Sequence, residues 1–472
     1  MKKKILHIGN IANNAYLNAK ILNESGCSIN DVLVMDYFHI MGCPEWEDSK
    51  LNKPVNEFNP DWKKIKINFL RPSWFYQGEK NKILNTILKS KIKKKKYIDI
   101  LFLKLRLSSA KFINSSLNFF FSLNTLLKLK VPNYLLPSVY KSLKKNFPNR
   151  KINFTFKDYL HLIQHYKPKL IELFKYYDII HCYGTEVIQP LIHNNFKYVC
   201  YEHGTLRSLP FQNNFYGKLV LNSYCMTKHL FITNSDTVKN VKKVKCKSYS
   251  FIPHPINEKW KLDKNIKKLK TDLLKNLKSD FILFHPPRQH WEDMKTIDKS
   301  YDKSWLKGND IFYNGVKDFI KKTDSNPLII TVEWGKKVNE SKELIEQLGI
   351  TSNVKWIKPQ SIFMMTKYFS ISDIIVDQFI LGAFGSITAK ALFHGKPVMT
   401  YIDPKSLKGF FKTIPPVINA ENNKQISSLL NKFYKNKELL KNVGNSGKEW
   451  YKKNHSNRII LEKLNLVYNK IQ

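Results

Sequence analysis

Short apolar strands alternate with longer helical stretches along this chain, and that alternation restricts its fold more than any other feature. Residues 4–8 form a buried-type strand ending at Gly9, a helical run covers about 13–23 and stops at Gly26, and a second strand covers 31–35. Strands of the same kind recur at 178–181, 198–201, 230–233, 281–284, 328–332 and 373–376, with helical runs at 315–322 and 341–348. A parallel strand pair needs a long crossover, which a helix supplies, so this alternation implies parallel, doubly wound sheets. The expected fold class is α/β. The opening βαβ unit carries no GxGxxG, so dinucleotide binding is not inferred from it.

At 472 residues the chain exceeds one ordinary core and suits two α/β domains of roughly 200 residues each. Pro253-His254-Pro255 marks the crossover, giving domains at 1–255 and 256–472, with a lysine-rich linker to about residue 280. Residues 41–78 are rich in Pro and Trp and read as loop and short elements; the segment from about 80 to 157 reads as a basic helical insertion into the first domain. No stretch of about 18 apolar residues appears, so no membrane-spanning helix is expected. The Met-Lys-Lys-Lys start leads straight into a strand without a signal-type apolar region, so a cytoplasmic protein is expected. The six cysteines, Cys27, Cys43, Cys182, Cys200, Cys225 and Cys246, contain no CxxC pair and read as reduced, mostly buried thiols rather than a metal site.

The formal net charge of +41 first suggests nucleic acid. No helix-turn-helix, RRM or zinc-finger pattern supports that, and no nucleic-acid partner is expected. Of 79 basic residues only six are arginine (Arg71, Arg106, Arg150, Arg207, Arg288 and Arg458), so an arginine here points to bidentate anion chemistry that lysine does not supply. From Lys80 to Lys157 there are 19 basic residues against one acid, Asp99, and the stretch holds both Lys93-Lys94-Lys95-Lys96 and the apolar-aromatic run at 117–121. Such clusters suit the anionic inner face of the cell membrane, at about 1 kcal/mol per well-placed lysine. Peripheral attachment there is one expectation; a solvated face over a core helix is the other.

The segment 373–401 carries the most chemistry. A strand ends at Asp377-Gln378, the loop Leu381-Gly382-Ala383-Phe384-Gly385 follows, and Ser386 is the expected N-cap of a helix through Phe393, stopped by Gly395. A glycine loop lets backbone amides approach a ligand, and a helix N-terminus adds free N–H groups and about half a positive charge, which together suit phosphate.

These residues resemble the retaining nucleotide-sugar glycosyltransferases known as glycosyl transferases group 1, whose signature is roughly Glu-x-Phe-Gly followed by Glu-Ala-x-x-x-Gly-x-Pro-Val. The chain has Gly382-Ala383-Phe384-Gly385 and Lys390-Ala391-Leu392-Phe393-His394-Gly395-Lys396-Pro397-Val398 at matching spacing. Both acidic positions differ. Gly382 stands where a glutamate contacts the donor sugar, and Lys390 where one holds the ribose hydroxyls; a lysine cannot accept those hydrogen bonds. The resemblance also implies that Arg288, after the strand at 281–284, and Lys307 clamp the donor diphosphate and stabilise the leaving nucleotide, where fixed cations act most strongly in the transition state. In the first domain, Glu202-His203-Gly204 resembles the His-Gly turn that the family presents to its cleft; His203 is expected to bond a sugar hydroxyl or assist proton movement, and Arg207 to contact an acceptor phosphate. Gly9 and Gly335 end strands at the mouth of the cleft, and Asp377 is expected to shape the donor loop.

The resemblance covers about 281–455 well and the first domain more loosely. It implies two Rossmann-like domains facing across a cleft, the GT-B arrangement, with C-terminal helices returning to the first domain. The implied activity is transfer of a sugar from a UDP- or GDP-linked donor to a lipid-linked or saccharide acceptor in capsule, lipopolysaccharide or other surface polysaccharide synthesis. Retention of configuration is expected, with no metal and no cofactor beyond the nucleotide-sugar substrate. The rival is a non-catalytic GT-B-like protein that binds saccharide or scaffolds a complex, motivated by Lys390 and Gly382. His161 and His165 lack the glutamate of HExxH, and no GxSxG is present, so metalloprotease and α/β-hydrolase readings are set aside.

Overall fold

In the computed structural model the described residues are 2–36, 39–51, 55–65, 67–92, 108, 138–148, 155–195, 197–260, 268, 270–271, 274–275, 278–294, 296 and 302–471. The lysine run at 93–96 and the aromatic run at 117–121, which carry the membrane-surface expectation, lie outside them.

Thirteen strands are described: β1 (Lys3–Ile8), β2 (Ser28–Met35), β3 (Phe75–Gly78), β4 (Ile179–Tyr183), β5 (Tyr198–Tyr201), β6 (His229–Ile232), β7 (Tyr249–Phe251), β8 (Phe281–His285), β9 (Pro327–Val332), β10 (Val354–Ile357), β11 (Ile374–Val376), β12 (Val398–Thr400) and β13 (Ile418–Asn419). The first seven make one sheet in the order β3-β2-β1-β4-β5-β6-β7 and the last six another in the order β10-β9-β8-β11-β12-β13. Every strand pair is parallel. Each sheet therefore repeats the doubly wound order in which the chain starts centrally, works outward to one edge and returns to the other side of its first strand. Helices cover both faces, so the inner strands β8, β9 and β11 of the second sheet are largely apolar and fully buried along their length.

Doubly wound sheets bind ligands where the strand order reverses, beyond the carboxyl ends of the two central strands. In the first domain that point lies between β1 and β4, in the second between β8 and β11. The domains are in contact. Ser361 Oγ donates to the Ser49 carbonyl at 2.6 Å, Arg288 pairs with Glu57 at 2.9 Å, and the Ser235 and Ser406 hydroxyls lie 3.2 Å apart. The long helix Lys437–Asn454 belongs to the second domain, His455 Nε2 meets the His254 carbonyl at 2.9 Å, and the helix Asn457–Lys470 then lies on the first sheet. Its Ile460, Leu464, Val467 and Tyr468 share a core with Ile5, Val32 and Ala15, and the Tyr468 hydroxyl sits 2.6 Å from His181 Nδ1. The described ends of the basic segment are structural: Leu84, Ile87, Leu88 and Leu143 join the core on the sheet's other face.

Candidate functional site

The loop after β8 carries Arg288 and the loop after β11 carries Asp377 to Gly385, so both leave the switch point of the second sheet. Arg288 is held from three directions. Its Nη2 lies 2.9 Å from Glu57 Oε1 and 3.3 Å from His39 Nε2, both in the first domain, and its guanidinium stacks 5.0 Å from the Trp334 ring. Trp334 is itself fixed by donation from Nε1 to the Pro286 carbonyl at 3.0 Å. A stacked, paired arginine is a pre-organised cation, and about a quarter of its side chain remains open to solvent.

Lys307 donates to Gln378 Oε1 at 3.1 Å, and the Gln378 amide donates in turn to the Ala383 carbonyl at 3.1 Å, which ties the lysine to the glycine loop. Burial pulls the Lys307 pKa below its ordinary value, with Arg207 and Arg288 pushing the same way and Asp377 opposing. These charges feel one another because they line one cleft. Asp377 is buried, and desolvation raises its pKa while Lys307 and hydrogen bonds from Thr388 resist.

The helix Ser386–Phe393 begins one residue earlier than Ser386 as N-cap would require: Gly385 occupies that position and Ser386 makes no capping bond. Asp377 takes the capping role across the loop, accepting from the Thr388 amide at 3.2 Å and the Thr388 hydroxyl at 2.8 Å. A Cβ at position 385 would sit 2.5 Å from Asp377 Oδ2, so glycine is required by the carboxylate's approach. The first amides of a helix have no intrahelical acceptor. With Thr388 satisfied by Asp377, the Ser386 and Ile387 amides have no protein acceptor among the described residues, and Ser386 is exposed.

Across the cleft, His203 follows β5 and is half-buried. Its Nδ1 lies 3.2 Å from Asn14 Nδ2 and its ring 5.0 Å from the His254 ring. Desolvation, reinforced by Arg207 and Lys307, pulls its pKa down to about 4, so the imidazole is neutral at neutral pH.

The remaining sequence candidates have other duties. Arg207 is bound bidentately by Asp236, at 2.7 and 3.1 Å, which occupies the face an acceptor phosphate would use. The Phe384 side chain lies in the second core among His455, Phe411 and Trp450, with ring centroids 5.1 to 5.7 Å away. Gly382 has φ +63°, and a Cβ there would lie 3.0 Å from Asp403 and Tyr401, so the backbone excludes the glutamate of the family signature. Gly9 and Gly335 are packed against Glu186 and Gln289 respectively and act through close backbone contact.

Lys390 is buried and faces Glu47 of the short helix Pro44–Asp48, from the other domain. Burial lowers the Lys390 pKa, with Glu47 its largest opposing charge; burial raises Glu47 to about 7, with Lys390 the largest opposing charge in turn. Glu47 Oε1 has no hydrogen-bond partner. Sequence reasoning missed Glu47, His39, Glu57 and Asn14. The one signal for Glu47 was Pro44 at a helix start, inside a stretch read as loop. Among the described residues no three His, Cys, Asp or Glu side chains converge in a way that could hold a metal.

The two doubly wound domains, apposed at their switch points, define the GT-B fold. No family model and no curated protein matches the sequence. Solved structures do resemble it. The chain is similar to HepE of Anabaena, crystallised with UDP and glucose, at 12% identity and TM-score 0.58 over 99% of both chains. It is also similar to a glycosyltransferase of Rickettsia africae (13% identity, TM-score 0.55, 100% of this chain and 98% of that one). A third is Staphylococcus aureus TarM, in complex with fondaparinux, α-GlcNAc-glycerol and UDP (11% identity, TM-score 0.53, 99% of this chain and 100% of that one).

Proposed function

We propose that this protein is a glycosyltransferase that moves a sugar from a nucleotide-sugar donor to an acceptor held in the cleft. One observation carries the reading. Arg288 and Lys307 line the cleft at the second domain's switch point, into whose loop the unpaired Ser386 and Ile387 amides also open, opposite His203. Two fixed cations and a helix N-terminus suit the two negative phosphates of a nucleoside diphosphate leaving group, and their attraction grows as the glycosidic bond breaks. UDP in the HepE and TarM crystals makes UDP-linked sugars the first donors to test. By the family resemblance, transfer proceeds with retention, the leaving phosphate taking the acceptor proton, onto a lipid-linked or saccharide acceptor in surface polysaccharide synthesis. No helix among the described residues is long and apolar enough to cross a membrane, so a lipid-linked acceptor would be reached from the membrane surface.

Calorimetry with UDP, GDP and their sugars tests the reading. Binding that is lost in Arg288→Ala and Lys307→Ala supports it; no nucleotide binding by the intact chain overturns it. The second reading, a non-catalytic saccharide-binding or scaffold protein, is favoured by Lys390, which a cross-domain carboxylate engages where the family has its ribose ligand. Saccharide binding without nucleotide binding would select it. A panel of nucleotide-sugars incubated with the protein and membrane extract then identifies donor and acceptor.

A further inference from the structure

We propose that Asn14 is a positioning residue that locks His203 into the tautomer protonated at Nε2, so that this imidazole donates a hydrogen bond into the cleft rather than accepting a proton there. The inference rests on the cleft being the functional site and deepens that reading. It starts from an unusual turn. Between β1 and the helix Asn14–Ser25 the chain passes through Ala12 at φ 49° and Asn13 at φ 56°, two successive left-handed residues that are not glycine. Such a conformation persists only where its surroundings over-determine it. Here they do: Asn10 Nδ2 donates to Asn13 Oδ1 at 2.9 Å, Asn13 Nδ2 to the Cys43 carbonyl at 2.9 Å, and the Tyr16 amide to Asn10 Oδ1 at 2.9 Å.

The turn delivers Asn14, which is buried, to the edge of the cleft with all four of its hydrogen-bonding positions used. Its Nδ2 lies 2.9 Å from the Ile11 carbonyl, which can only accept, and this fixes which end of the amide is nitrogen. The second hydrogen of Nδ2 is aimed at His203 Nδ1, 3.2 Å away. On the other side, Oδ1 receives the Tyr201 hydroxyl and faces His254 Nδ1, both at 3.4 Å. An amide N–H needs a lone pair opposite it, so His203 Nδ1 carries no proton and the neutral ring bears its proton on Nε2. Nε2 has no protein partner among the described residues, and the ring is half-buried, so this N–H is directed at whatever oxygen enters the cleft. Arg207 and Lys307 face the ring with positive charge and offer no acceptor; His254, also neutral through burial, lies beside it edge-on, with its Nδ1 turned to Asn14 Oδ1.

The test is a spectroscopic one and needs no substrate. In protein labelled with 15N at the imidazole nitrogens, the His203 signals are identified by their absence in His203→Gln. At pH 7.5 the Nδ1 resonance is expected in the unprotonated range and Nε2 in the protonated range. In Asn14→Asp, a carboxylate that can only accept exchanges the two, and the ring titrates at higher pH. A wild-type ring protonated at Nδ1, or a wild-type pattern preserved in Asn14→Asp, overturns the proposal. Should Asn14→Asp fail to fold, the wild-type spectrum decides alone, and Tyr201→Phe serves as the second variant: the Ile11 carbonyl still orients the amide, so the tautomer is retained. Because none of these readouts involves sugar transfer, failure of the tautomer and failure of nucleotide binding are seen separately.

Discussion

Replacing Glu47 by glutamine should stabilise this protein, and by an amount that depends on pH. The carboxylate is 4% exposed, one of its oxygens has no partner, and Lys390 opposite makes up only part of the lost hydration. Burial raises its pKa from 4.5 to about 7. The folded state therefore disfavours the ionised form: the cost is absent below about pH 4.5, grows as the pH rises, and is complete above about pH 7. At about 1.4 kcal/mol per pKa unit the full cost is roughly 3 kcal/mol. Glu47→Gln, neutral at every pH and nearly the same shape, should gain roughly 3 kcal/mol at pH 8 and under about 1 kcal/mol at pH 5. A kcal/mol moves the midpoint of a domain this size by about 2–4 °C, so thermal unfolding followed by tryptophan fluorescence at the two pH values resolves the difference. Lys390→Met should raise the Glu47 pKa further, because it removes the largest opposing charge, so the cost of ionising Glu47 should set in at a higher pH than in the unaltered protein. Equal shifts of Glu47→Gln at both pH values, or a loss at pH 8, would refute the account of a poorly compensated buried carboxylate.

Other consequences can be checked with the same preparations. Gly382→Glu, which restores the family's residue, should cost about 1–2 kcal/mol for the left-handed backbone alone, with crowding against Asp403 and Tyr401 added, and thermal unfolding should show a loss instead of a gain. Phe384→Ala should cost about 3–5 kcal/mol in urea unfolding, because it empties a site walled by Phe411, Trp450 and His455. Burial holds His7 and His455 down at about 4 and His285 at about 3, so they are neutral when folded and charge only on unfolding. Their contribution is present above pH 6.5 and lost as the pH falls toward 4, so the urea midpoint should drop from pH 7 to pH 5, with protons taken up on unfolding.

Much of the fold is legible in the sequence because its signals are local. The strands at 198–201, 281–284 and 373–376 are runs of apolar and β-branched residues long enough to span a sheet, and each falls within a residue or so of the strand observed. The helix boundaries at Gly26 and Gly395 follow from left-handed backbone that glycine adopts without strain. Arg288 stands out through the scarcity of arginine, and the structure places it at the cleft.

Sequence by itself thus determined two α/β sheets, their order of elements, and a set of polar residues at strand ends. Which of those residues face the same space depended on how the two sheets meet, and no local pattern encodes that. Arg207 and Arg288 read alike in the chain, yet Asp236 binds two nitrogens of one from within its own domain, while Glu57 and His39, from the opposite domain, meet a single nitrogen of the other. Lys390 meets its counter-charge 343 positions away at Glu47, and Asn14 orients His203 across 189. Charge pairing and hydrogen-bond direction act over a few ångströms of space whatever the separation along the chain, so only the closed tertiary structure could decide them.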